Sequence, residues 1–76
     1  MSKILRYQLG MKGYEIRQLM KDANVQPWQI ADEMGVKRPT VSQVIHGVRS
    51  NPRIRLAIAR SVDKQVSDLW PDQEQA

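Results

Sequence analysis

The sequence predicts an all-α fold, a compact domain of four to five helices. Three observations carry that expectation. From Tyr14 onward apolar residues recur at the three- and four-residue spacing of helices, and each such stretch is bounded by residues suited to a helix start or stop. No stretch between residues 14 and 71 reads as a strand. Cys is absent, so no disulfide framework and no Cys-based zinc or redox site supports the fold, and helix packing must suffice. A chain of 76 residues has room for one domain and a single core.

Each element has its own warrant. Ile16, Leu19, Met20 and Ala23 follow the i, i+3, i+4, i+7 pattern, which predicts a first helix from Tyr14 to Asp22 behind a permissive Gly13. Glu15 in its first turn and Lys21 in its last suit the helix dipole. A second helix is expected from Pro27 to Met34. Pro27 needs no N–H at the first helical position, Ile30, Ala31 and Met34 face inward, and Gly35 supplies a left-handed stop. After a turn of Gly35, Val36 and Lys37, a third helix runs from Arg38 or Pro39 to His46, burying Val41, Val44 and Ile45, and Gly47 ends it. Asn51 as N-cap with Pro52 behind it opens a fourth helix through Val62, with Ile54, Ala57, Ile58 and Val62 inside. Val66 to Trp70 is expected to form one more short turn, stopped by Pro71, with Trp70 packed back on the core.

Both ends read differently. Residues 1–12 form an arm in which Leu5, Tyr7 and Leu9 alternate with Arg6 and Gln8, a pattern that fits a strand paired with a second chain, a frayed arm or a helical extension. Residues 72–76 read as a disordered tail. Lys3, Arg6 and Lys12 interrupt the apolar residues of the N-terminus, so neither a signal peptide nor a membrane span is expected, and the expected location is the cytoplasm.

Charge is unevenly distributed. The net charge is +4, yet the stretch from Met34 to Val62 carries Lys37, Arg38, Arg49, Arg53, Arg55 and Arg60 without one Asp or Glu. A basic surface of this kind raises the local potential for polyanions such as nucleic acid or an anionic membrane face; the plainer alternative is a solvated face kept for solubility. Helix starts sharpen the choice. An N-terminus presents unpaired N–H groups and partial positive charge, so folding alone favours an acid or a capping side chain there. The third helix instead opens with Lys37 and Arg38, and the fourth carries Arg53 and Arg55 behind Asn51. Cations and free donors gathered at a helix start suit a phosphate. The competing explanation is that Asp32 or Glu33 pairs with Lys37 or Arg38 across the turn.

The segment from Gln26 to Gly47, above all Ile-Ala-Asp-Glu-Met-Gly-Val followed by Thr-Val-Ser-Gln-Val-Ile-His-Gly, resembles the helix-turn-helix of the lambda-repressor-like (Cro- and XRE-type) family. The end from Arg49 to Pro71, with Ala57-Ile58-Ala59 and Leu69-Trp70-Pro71, is similar to small phage-type regulators of the Ner kind. The resemblance implies a sequence-specific transcriptional regulator of double-stranded DNA, of the repressor type found in phages and mobile elements. Its third helix would lie in the major groove and its second across the backbone. In this family the first, second and sixth residues of the recognition helix face base edges, and here those places hold Arg38, Pro39 and Gln43. Arg38 suits guanine O6 and N7, and Gln43 suits adenine. Pro39 departs from the pattern: it offers only an apolar contact such as a thymine methyl, and Thr40 is a candidate to take over part of the reading. Where the family places a glutamine at the start of the second helix, Pro27 stands instead, leaving Gln26 to cap the helix or reach a phosphate.

Phosphate contacts are expected from Lys37, Ser42, His46, Arg49, Ser50 and Asn51, with Arg53 or Arg55 behind them and the indole N–H of Trp28 as a further donor. His46 is the only histidine and has no orienting carboxylate or nucleophile in its sequence neighbourhood, so it reads as a surface residue rather than a base. No Gly-rich phosphate loop, metal-ligand cluster or nucleophile with its base is evident, so neither enzymatic activity nor a cofactor or small-molecule ligand is expected. A homodimer joined through the N-terminal arm is a candidate assembly. A protein-interaction module reusing the fold, such as an antitoxin or anti-regulator, is the alternative from another class.

Overall fold

The computed structural model describes residues 11–71. They form α1 (Gly13–Asp22), α2 (Pro27–Met34), α3 (Arg38–Ile45), α4 (Pro52–Ser61) and α5 (Val66–Leu69), with no strand among the described residues. The Leu5–Tyr7–Leu9 alternation and the expected tail lie outside them. Every element stands where the sequence places it, with ends shifted by a residue. Gly13 is already helical, and His46, Val62 and Trp70 lie just beyond their helices rather than inside them.

The starts are built in three ways. In α1, α2 and α5 the third helical residue reaches back: Glu15 accepts the Lys12 N–H at 2.8 Å, Gln29 the Gln26 N–H at 2.7 Å and Asp68 the Gln65 N–H at 3.0 Å. In α4 the Asn51 Oδ1 accepts the N–H groups of Arg53 and Ile54, both at 3.1 Å. The start of α3 differs from these four, for no side-chain bond caps it.

The ends are built in one way. After α1, α2, α3 and α4 the chain enters the left-handed region at Asn24, Gly35, Gly47 and Asp63. Each time the following N–H bonds back to a carbonyl of the last turn: Val25 to Met20 at 2.8 Å, Val36 to Ala31 at 2.9 Å, Val48 to Gln43 at 2.8 Å and Lys64 to Ala59 at 2.9 Å. This is the Schellman closure, which satisfies carbonyls that the helix leaves open and turns the chain sharply. Short connections follow, and the helices fold against one another.

One core results. Ile16 and Met20 of α1, Ile30 and Ala31 of α2, Val41, Val44 and Ile45 of α3, and Ile54, Ile58 and Ala59 of α4 meet Val62, Leu69 and Trp70. Each fully buried aliphatic side chain contributes about 1.5–3 kcal/mol. α3 packs against α1, α2 and α4, while α5 packs on α4. Ala57, expected inside, is only half-buried; its neighbour Ala59 takes the interior place, and Ala23 is exposed beyond the end of α1. Met11 also lies against the core, and its N–H reaches the Leu69 carbonyl at 3.4 Å. No helix among the described residues is long and apolar enough to cross a membrane.

Candidate nucleic-acid interface

α3 divides cleanly into two faces. Val41, Val44 and Ile45 are buried to within 1% and fix the helix on the core. On the other side Arg38 and Pro39 are exposed, with Thr40, Ser42 and Gln43 half-exposed beside them. The proposed base-reading residues therefore share one accessible face. Lys37 is exposed at the head of the helix, and among the described residues neither Lys37 nor Arg38 has an ion-pair partner. The alternative pairing with Asp32 or Glu33 does not form.

The flanks add further polar groups. Gln26 is exposed, and with its N–H held by Gln29 its own side chain makes no capping bond. Trp28, in the first turn of α2, is 48% exposed, so its indole is accessible to a ligand. On the far side of α3 the loop places His46, Arg49 and Ser50 at the surface. His46 is exposed, yet its ring lies on the backbone of Gly13, where a Cβ would overlap the imidazole. Gly13 therefore serves a close approach between the start of α1 and the end of α3, beyond its value as a helix start. Asn51 uses its side-chain oxygen to cap α4, leaving its amide nitrogen as the group able to donate.

Arg55 must be withdrawn from the phosphate set. It is 3% exposed, and its guanidinium lies 5.5 Å from the centre of the Trp70 ring. The reason is position: Arg55 stands three, four and seven residues before Ile58, Ala59 and Val62, on the inward stripe of α4. Stacking on an indole is worth about 0.5–2 kcal/mol, and here it ties α4 to the end of the described chain. Arg53 remains exposed at the start of α4.

Two cations missed by sequence reasoning belong beside the site. Arg17 and Lys21 project from α1 into an open cleft of about 440 Å³ that Gln26 and His46 also line. Their i, i+4 spacing was readable as one helix face, but nothing in the sequence said that this face would meet the start of α2. A further open cleft, about 430 Å³, lies between α2 and α4 and is lined by Met34, Leu56 and Ala57, with Glu33, Arg53 and Arg60 at its side. Among the described residues no group of His, Cys, Asp and Glu gathers in a way that would hold a metal ion.

The arrangement offers donors and positive charge on one side of a helix, and among the described residues Lys37 and Arg38 form no ion pair. Comparison with protein-family models, with curated proteins and with solved structures gives no match to this chain.

Proposed function

We propose that this chain is a sequence-specific regulator that binds double-stranded DNA as a lambda-repressor-like helix-turn-helix protein, with α3 in the major groove and α2 across the backbone. One observation carries the reading: the start of α3 lacks a side-chain cap and bears two exposed cations without carboxylate partners, while α1, α2, α4 and α5 are capped by side chains. Cations at a helix start oppose the helix dipole and contribute nothing to folding, whereas a phosphate or guanine edge is attracted by both. The inner face of α3 supplies rigidity, and the outer face supplies Arg38, Pro39, Thr40 and Gln43 for bases. Lys37, Ser42, His46, Arg49, Ser50, Arg53, Gln26 and Trp28 surround that face as candidates for phosphate contacts, as does the free amide nitrogen of Asn51.

Selection of bound sites from random duplex DNA tests the proposal. A discrete motif is expected, and its footprint reports whether one copy or a symmetric pair binds, the latter on half-sites about 34 Å apart. With about five phosphates neutralised, log K should fall with log[salt] at a slope near −4.5. No motif and a slope near zero would favour the protein-interaction reading instead. That alternative rests on Leu56, which is 42% exposed beside Met34 and Ala57.

A further inference from the structure

Three of the four helix ends carry a valine after the left-handed residue, the fourth an exposed Lys64, and the three valines provide an internal control. In this closure the residue after the left-handed one commonly packs against the helix residue whose carbonyl it bonds. Val25 and Val36 conform, both half-buried against the core over Met20 and Ala31. Val48 occupies the same place after α3 and is 77% exposed. Its counterpart on the helix is Gln43, whose side chain is turned to another purpose: Gln43 Oε1 accepts a hydrogen bond from Arg49 Nε at 3.0 Å. The Gln43 carbonyl also accepts the N–H groups of Val48 and Arg49, at 2.8 and 3.1 Å. Gln43 and Arg49 are thus one unit, bonded through backbone and side chain.

That unit has a definite polarity. Arginine Nε–H only donates, so the amide atom it meets is the oxygen, and the Gln43 amide is oriented by chemistry. Its oxygen is engaged beside a full positive charge, leaving the Nε2 hydrogens and the remaining Arg49 donors to face a ligand. Adenine presents an acceptor at N7 and a donor at N6, whereas guanine presents acceptors at both N7 and O6. A free glutamine matches adenine by accepting from N6 and donating to N7. Beside the guanidinium, the N6 amino group meets positive charge and guanine O6 is attracted to it.

We propose that Gln43 and Arg49 together read a guanine, in place of the adenine that Gln43 alone would select. The proposal rests on the DNA-binding reading above and concerns which base that surface prefers. It makes Arg49 a specificity residue as well as a candidate for a phosphate contact. With Arg38, the surface then carries two arginines among its base-reading residues and favours a G-containing site.

The test uses the full chain and sites selected from random duplex DNA with the wild type, Gln43→Ala and Arg49→Met. The base position that loses its preference in Gln43→Ala is the one Gln43 addresses. Guanine is expected there for the wild type, and 7-deazaguanine at that position should weaken binding by about 5- to 150-fold. Arg49→Met should move the preference from guanine to adenine by freeing the amide oxygen, with a thermal melt confirming that the variant is folded. Adenine in the wild-type motif, unaltered preference in Arg49→Met, or full specificity in Gln43→Ala overturns the proposal. Absence of any motif overturns the DNA-binding reading, and this one with it.

Discussion

The ends of α2 and α3 are nearly the same piece of backbone, and the valine that follows each has the opposite fate. Both helices stop at a left-handed glycine, with φ 69° at Gly35 and 77° at Gly47, and both return a valine N–H to the last turn. Val36 rests on the core; Val48 stands in solvent. The closure sets where the valine leaves the helix, and the residue beneath it decides whether the fold absorbs it. Ala31 is buried and completes an apolar contact, whereas Gln43 is held by Arg49 and offers none. The starts of α3 and α4 repeat the contrast. Asn51 gives α4 a cap that any stable helix would accept, while α3 begins on exposed cations without one. At its start α3 forgoes the side-chain cap that the other helices keep, and at its end the apolar contact that Val25 and Val36 make after α1 and α2.

Four sets of variants would break or sharpen this contrast, beginning with the largest effect. Ile45→Ala, on the inner face of α3, should cost about 2–5 kcal/mol of stability in denaturant unfolding, because it empties a fully packed site. Arg38→Ala, on the outer face, should leave unfolding unchanged and weaken specific DNA binding by about 1–3 kcal/mol, with relaxed preference at one base position. Gly35→Ala and Gly47→Ala should each lose about 1–2 kcal/mol of stability for the left-handed backbone alone; at Gly35 the added Cβ would meet no atom within 4 Å. Unequal losses would show that the two closures are not equivalent. Val36→Ala should cost about 1 kcal/mol, while Val48→Ala should change stability by less than about 0.5 kcal/mol. Equal costs for the two valines would erase the comparison.

Much of this fold was legible because local rules and packing agree. Pro27, Gly35, Gly47 and the Asn51–Pro52 pair each act through backbone restrictions that need no tertiary contact, and the apolar spacing supplied most of the buried residues of the first four helices. Asn24 and Asp63 were also readable in principle, since these residue types tolerate the left-handed region better than most, but no glycine drew notice to them. Arg55 shows where residue type misled. Its spacing to Ile58, Ala59 and Val62 marked the inner face, and its charge outweighed that signal until the Trp70 ring beneath it was visible. The exposed face of α3 followed from periodicity, so the accessibility of Arg38, Pro39 and Gln43 was foreseeable. The bond between Gln43 and Arg49 was not: it spans a helix end, at a six-residue separation that does not bring side chains together on a helix. The approach of His46 to Gly13 likewise depends on how two helices dock.

The two tryptophans, set apart by burial, give the chain a pair of optical reporters with separate duties. Trp70 is 5% exposed beneath Arg55, so its emission should shift to the red when the core opens and the indole meets water. Trp28 is already half in solvent at the start of α2, so its emission should respond little to the loss of packing and strongly to a stacked or charged ligand drawn against that helix. Single Trp→Phe variants would separate the signals, and unfolding and ligand capture could then be followed in one cuvette without a label.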